Sequence, residues 1–132
     1  YQPRWHCQQK GLKSADLLTI STMQEELIQN VKQFFNSAEL VNQNNDPTSA
    51  TMLYFKALFV LLDVALLRVC NKTPKDHTQR FKLLKQYLPE DYNLLDRYFT
   101  IYRSTYSTTI STETVKEIQN YVKQQIKKHL GN

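Results

Sequence analysis

The chain has 132 residues, which suits one domain with a sizeable hydrophobic core. Hydrophobic residues make up 41% and charged residues 22% of it, and the 2 glycines and 4 prolines are too few for a turn-rich sandwich or barrel. The net charge of +5 favours phosphate-bearing partners without identifying one. Composition therefore predicts an all-α domain.

The cysteine pattern gives little sign of a disulfide or a metal. Cys7 and Cys70 form neither a disulfide framework nor a metal-ligand spacing. His6 beside Cys7 is too little for zinc, which needs three or four protein ligands. We therefore expect a reduced, cytoplasmic protein with no metal and no cofactor.

The first 19 residues lack apolar periodicity. We interpret 1–19 as an N-terminal arm or the tail of an upstream segment, and 20–132 as the bundle domain. Apolar residues then recur at three-and-four spacing from Ser21 to Val41, which predicts the first helix with Ser21 as its N-cap. The polar segment 42–47 ends this helix.

The second predicted helix runs from about Thr48 to Val69 and is apolar nearly all round. Its length suits a membrane span, but the three charged residues within it are costly in hydrocarbon, so we expect a buried core helix and no membrane partner. Asp63 lies in its middle among aliphatic residues. A buried carboxylate is expensive unless it is paired or protonated, so Asp63 predicts a partner.

Three further helices are predicted after this one. The third is short, with Thr73 as N-cap and Pro74 in its first turn, and ends near Tyr87. The fourth covers about 90–105, and the fifth begins after the capping residue Ser111. Four long helices and one short helix predict an antiparallel up-and-down bundle. Apolar surface left on the second and fourth helices makes a symmetric dimer plausible.

The first candidate site joins Asp63 to Arg103. Both residues belong to long helices that should be neighbours, and a guanidinium can satisfy a carboxylate with two parallel hydrogen bonds. The pair could bind a ligand or simply fix the helix register. Spacing alone does not decide which ends of the two helices meet.

The second candidate site is the basic stretch 72–85, which contains Lys75 and Arg80. The predicted helix start at Pro74 adds unpaired backbone amides that favour an anion. The same charges could equally form a solvated helix face.

His77 and Tyr106 are the remaining candidates. His77 could serve as a general acid or base, although nothing in the sequence beside it supplies a nucleophile, a paired carboxylate or a metal set. Tyr106 follows Arg103 in a break between helices and is free to stack on a base or bond a phosphate. The alternative is that both rings are structural.

The order of three segments resembles the HEPN domain family, a group of small all-helical domains. The resemblance covers about 49–128. The apolar segment 52–63 is similar to the family's central helix with its polar residue. The segment 72–81 is similar to a Pro-x-x-His helix start, and 98–106 is similar to a signature ending in x-x-Arg before the last helix.

This resemblance implies a five-helix bundle, frequent dimerisation, and RNA cleavage or nucleotide binding. Members of the family often act with a minimal nucleotidyltransferase, sometimes as toxin and antitoxin. By the resemblance, Arg103 would contact phosphate and Asp63 would be its polar partner. RNA-cleaving members carry a histidine shortly after this arginine. The corresponding positions here hold Thr108, Thr109 and Ile110, which points away from catalysis because a general base contributes roughly 10²- to 10⁴-fold in rate.

The sequence therefore supports three hypotheses. The first is a HEPN-like domain that binds a nucleotide or RNA without efficient catalysis, as a dimer or with a nucleotidyltransferase; Arg103 would hold phosphate, Tyr106 would stack, and Lys75 and Arg80 would widen the positive field. The second is a weak metal-independent RNase in which His77 or Tyr106 replaces the missing base. The third is a helical protein-interaction module with no ligand.

Overall fold

The computed structural model describes residues 14–131. Within that range the chain forms five α-helices and no strand. The helices are α1 (Ser14–Gln43), α2 (Pro47–Cys70), α3 (His77–Tyr87), α4 (Pro89–Ser104) and α5 (Thr112–Leu130). The predicted all-α bundle of four long helices and one short helix is confirmed.

The long helices α1, α2 and α4 alternate in direction. Tyr54 near the start of α2 donates a hydrogen bond to Glu39 near the end of α1. Phe55, one residue further along α2, packs on Tyr102 near the end of α4. Helices α1 and α4 therefore both run antiparallel to α2.

The last helix, α5, runs beside α2 in the same direction and antiparallel to α4. Just before α5 the backbone amide of Ile110 donates to the hydroxyl of Thr48 in the first turn of α2. At the opposite end of the bundle His129 of α5 contacts Asp91 in the first turn of α4. The four long helices thus alternate up and down in chain order.

Helix α2 is the centre of the bundle and packs against all four other helices. Of its 24 residues, 15 are buried. Among the described helices it is the one long and apolar enough to cross a membrane, yet 72% of its most apolar window is buried inside the bundle. Its all-round apolar sequence is explained by this central position.

The predicted start of the first helix is wrong. Helix α1 begins at Ser14 rather than after Ser21, so 14–19 are helical, while the rest of the predicted arm, 1–13, lies outside the described residues. Leu18 in these early turns is 70% exposed, and Leu17 is exposed as well. Because these turns do not bury an apolar stripe, periodicity gave no sign of a helix.

The predicted start of the third helix is also wrong, whereas the predicted Ser111 cap is confirmed. Asp76, not Thr73, is the N-cap of α3, since its carboxylate accepts the amide of Gln79 at 2.8 Å. Residues 71–76 form a return segment that is not helical. The Ser111 hydroxyl accepts the amide of Thr114, as the sequence predicted.

A buried ion pair joins α4 to α5. Asp91 is 2% exposed and lies 3.0 Å from His129 Nε2 and 3.4 Å from Lys128 Nζ. Burial alone would raise the pKa of Asp91, but the hydrogen bond with His129 and the two positive charges outweigh it and hold that pKa below its ordinary value. The carboxylate also lies at the N-terminus of α4, where the helix dipole favours it.

We expect Asp91→Asn to lower the free energy of unfolding by about 2 kcal/mol at pH 7, because the variant loses the buried carboxylate that accepts from His129 and faces the charge of Lys128. A carboxyl with a depressed folded pKa stabilises the fold above its unfolded pKa of about 3.9 and loses that contribution as pH falls through the folded pKa. Urea titrations at several pH values should therefore show a smaller loss at acid pH in the variant. Asp96→Asn, an exposed carboxylate on the same helix, is the control; equal pH dependence in all three proteins would contradict the assignment.

Candidate functional site: a groove between helices α2, α3 and α4

The buried carboxylate Asp63 is paired with Arg80. Arg80 Nε donates to Asp63 Oδ1 at 3.0 Å, and Nη2 donates to Oδ2 at 3.2 Å. The Asp63 side chain is 13% exposed and the Arg80 side chain is 10% exposed. Burial raises the pKa of Asp63, and the guanidinium opposes that rise with two hydrogen bonds and its charge. The expectation that Asp63 needs a partner is confirmed, but the predicted partner, Arg103, is wrong.

The return segment 71–76 explains why Arg80 is the partner. It carries the chain back along α2, so that α3 runs parallel to α2. His77 then contacts Phe59, and Arg80, one turn later, meets Asp63, one turn further along α2. Sequential helices joined by a short turn would have run antiparallel and would have separated these residues.

Arg103 lies away from Asp63 because α4 runs antiparallel to α2. Tyr102, the residue before Arg103, packs on Phe55 and Phe59. Both of these residues lie more than a turn closer to the start of α2 than Asp63 does. The Arg103 side chain is exposed and forms no hydrogen bond or ion pair with the described residues. It is therefore available to a ligand.

Arg80 also holds the imidazole of His77. Arg80 Nη1 donates to His77 Nδ1 at 2.8 Å, and the ring packs against Phe59, Phe99 and Tyr102 at centroid distances of 4.6, 5.4 and 5.7 Å. Burial, followed by the positive charge of Arg80, lowers the pKa of His77, although Asp76 opposes the shift. His77 is consequently held neutral.

The Arg80 contact fixes the tautomer of His77. A guanidinium has no lone pair to offer, so Nδ1 must be the unprotonated nitrogen and Nε2 must carry the proton. The one basic lone pair of the ring is therefore occupied by an arginine N–H. His77 can donate a hydrogen bond from Nε2, but it lacks a free lone pair with which to remove a proton.

A groove of about 480 Å³ opens beside this histidine. Its lining combines aromatic, aliphatic and cationic side chains: Met52, Leu53, Lys56, Phe59, Val60, His77, Arg80, Tyr102 and Tyr106. The Tyr102 and Tyr106 hydroxyls lie 2.9 Å apart, and Tyr106 is 70% exposed. Burial, reinforced by Tyr106, raises the pKa of Tyr102 to about 12, so its hydroxyl stays protonated.

The groove has a positive electrostatic balance. None of the carboxylates in the described residues lines it; Asp63 behind it is bound to Arg80, and Asp76 precedes the lining His77 and caps α3. Lys56 lies on the exposed surface of α2 with its Nζ over the Phe34 ring at 5.3 Å. Its charge has no carboxylate partner among the described residues.

The structure brings together part of the predicted set. His77, Arg80 and Tyr106 line the groove, and Asp63 supports it through Arg80. Lys75 and Arg103 are exposed and do not line it; the amide of Lys75 donates to the side chain of Gln79.

The sequence analysis did not predict six of the lining residues, namely Met52, Leu53, Lys56, Phe59, Val60 and Tyr102. Lys56 and Phe59 are one turn apart on α2, on the same face, and a cation interrupting an apolar helix was the available signal. Tyr102 is partly buried against the core, and it also forms part of the groove wall.

Comparison of the chain with protein-family models, with curated proteins and with solved structures found no match.

Removing the buried counter-charge should destabilise the fold. We expect Asp63→Asn to lower the free energy of unfolding by about 3 kcal/mol, because Arg80 is left buried without an anion. Urea denaturation followed by circular dichroism measures the change. Asp96→Asn, an exposed carboxylate on α4, is the matched control and should stay within about 0.5 kcal/mol of the parent protein. A similar small change for Asp63→Asn would contradict the pairing.

The neutral state of His77 can be measured by an NMR pH titration of its ring protons. We expect an apparent pKa below the ordinary value of about 6.5. Because the folded value is the lower one, protonation favours the unfolded chain, and this site should cost stability as pH falls below about 6.5. Arg80→Met should raise the pKa of His77. A pKa that is normal in the parent, or unmoved in the variant, would show that the ring is not held as described.

Proposed function

We propose that the groove binds a nucleotide or a single-stranded RNA segment and does not cleave it efficiently. The observation that carries this proposal is the combination of an aromatic wall with cations that have no carboxylate partner. Stacking and phosphate contacts are the two interactions by which proteins hold single-stranded nucleic acid. The exposed ring of Tyr106 supplies a stacking surface, and Lys56 supplies a phosphate contact within the groove. Arg103 is outside the lining but follows the lining residue Tyr102 in the chain, so it supplies a second phosphate contact beside the groove.

The role of Arg80 follows from its pairing. Its charge is balanced by Asp63, and its guanidinium is nearly buried, so it contributes little net field to the groove surface. Phosphate attraction is therefore assigned to the exposed cations. Arg80 instead orients His77, whose Nε2–H remains able to donate a hydrogen bond to a base or a phosphate oxygen.

Several features favour binding over cleavage. The three positions where a catalytic histidine would follow Arg103 hold no base, and Ile110 among them is buried. The lone pair of His77 is occupied by Arg80. Tyr102, with its raised pKa, does not ionise near neutrality. A weak RNase therefore remains a less favoured alternative that requires His77 to change its tautomer.

A protein partner remains part of the proposal. The HEPN resemblance implies a homodimer or a nucleotidyltransferase partner, in a toxin–antitoxin arrangement. Leu17, Leu18 and Met23 near the start of α1 are exposed apolar side chains that could contribute to such a contact. The same surface would serve the alternative function, a protein-interaction module with no nucleic-acid ligand.

Fluorescence anisotropy with short labelled oligouridylate and with a labelled adenine nucleotide, over a salt series, tests the groove. We expect Tyr106→Ala to weaken binding by about tenfold, as for loss of one base stack. Arg103→Ala and Lys56→Ala should each reduce the salt dependence, by about 0.7 in the slope of log K against log salt for a single strand.

Arg97→Ala is the matched control, since Arg97 is exposed on the same helix but lies more than a turn from the lining residue Tyr102, which Arg103 directly follows. Equal losses for Arg97→Ala and Arg103→Ala would indicate diffuse charge attraction and contradict a specific site. No binding at low salt, together with a stable dimer, would favour the interaction module. RNA cleavage lost in His77→Ala would favour the RNase alternative.

A further inference from the structure

A second and larger cavity, of about 760 Å³, lies between α1, α2 and α5. It shares no lining residue with the groove described above. An apolar strip and a group of cations line it: Ile28, Val31, Lys32, Phe35, Asn36, Arg68, Lys123, Ile126, Lys127, Leu130 and Gly131. A cavity of this size, mostly apolar and placed between bundle helices, falls within the range of ligand sites.

Among the described residues, the charged side chains that line this cavity are all positive. Four cationic side chains line it and no carboxylate does. Glu39 lies outside the lining but close enough to Lys123 for that lysine to lower its pKa, so part of the Lys123 charge is balanced. Lys32 and Lys127 are exposed and form no ion pair with the described residues.

Arg68 is the cation set deepest in the cavity. Its Nε donates to Gln24 Oε1 at 3.0 Å and its Nη1 donates to the carbonyl oxygen of His129 at 2.7 Å. These contacts orient the guanidinium but bring no full negative charge. No carboxylate of the described residues is within ion-pair distance of it. A partly buried guanidinium without an anion is unfavourable, so a bound anion would be stabilised there.

Arg68 and Arg80 differ in this respect. Arg80 is buried with Asp63 in a bidentate pair, which completes its charge balance within the protein. Arg68 is held in place by neutral acceptors alone. The protein thus fixes one arginine for structure and leaves the other with capacity for an anion.

We propose that this cavity binds an anionic amphiphile, with a carboxylate headgroup at Arg68 and Lys127 and an acyl chain along the apolar strip. Ile28, Val31 and Phe35 line one wall from α1, and Ile126 and Leu130 line the other from α5. Charge complementarity selects the headgroup, and the apolar strip selects the chain. A neutral or cationic amphiphile of the same length lacks the first of these interactions.

Isothermal titration calorimetry with monomeric fatty acids below their micelle concentration tests the proposal. We expect decanoate to bind at least tenfold more tightly than decanol, and decyltrimethylammonium not to bind measurably. Each added methylene between octanoate and dodecanoate should tighten binding by about fourfold. NMR shifts on titration should centre on α1 and α5 around Ile28 and Ile126.

Charge-reversal variants distinguish the cavity from general surface attraction. Lys32→Glu combined with Lys127→Glu should weaken decanoate binding at least tenfold, whereas Lys116→Glu, exposed on α5 outside the cavity, should leave it unchanged. Arg68→Lys retains the charge and tests the guanidinium with less risk to folding. Circular dichroism confirms that each variant is folded, and oligouridylate binding in the other groove provides an independent reading.

Four outcomes would overturn the proposal: equal affinity for decanoate and decanol, shifts confined to another surface, a dimer that covers the cavity at the concentrations used, or binding to anionic phospholipid vesicles without binding to monomeric fatty acid. The first two remove the specificity or the site. The third would assign the cavity to a second copy of the chain, and the fourth would assign its charges to a membrane surface.

Discussion

The Asp63–Arg80 ion pair is the contact on which the rest of the site depends. It fixes the register of α3 on α2, and α3 carries His77 to the groove. A buried pair of this kind contributes modest net stability compared with apolar residues, because both charges must be desolvated. Its main effect is to select the alignment of α3 on α2, since the carboxylate and the guanidinium are both satisfied in that alignment. The same guanidinium then determines the tautomer of His77.

The direction of α3 is the second constraint, and it comes from the return segment 71–76. Asn71 ends α2 in a left-handed conformation with φ of 59°, and Asp76 caps α3 six residues after Cys70. A stretch of that length in extended backbone can span about 20 Å, enough to return along the second half of α2. The short helix can therefore run parallel to α2, while the four long helices keep their antiparallel order.

Much of the fold could be predicted from the sequence, because the long helices have strong periodic or continuous apolar patterns. The start of α1 could not, since Leu17 and Leu18 face solvent and leave no stripe to detect. The site was predictable in part. The need of Asp63 for a partner follows from burial alone, but choosing Arg80 over Arg103 requires the direction of α3. Periodicity reports which face of a helix is buried and carries no information on direction.

Arg80 and Arg68 are both partly or fully buried, but their charges are used differently. Arg80 pairs with a carboxylate of the central helix, so its charge is balanced within the fold. The binding proposed for that groove therefore relies on Lys56 and the tyrosines of the lining, with Arg103 beside it. Arg68 belongs to the last turn of α2, the central helix. Among the described residues, the acceptors of its hydrogen bonds are neutral oxygens. Its charge stays available because α1 and α5 supply no acid to the cavity wall. The difference lies in the residues around each arginine. It predicts that added salt should weaken binding at both sites, at the Arg68 cavity by screening a partly buried cation and at the groove by screening exposed cations. Since exposed charges are screened more strongly than partly buried ones, binding at the groove should fall more steeply as salt is added.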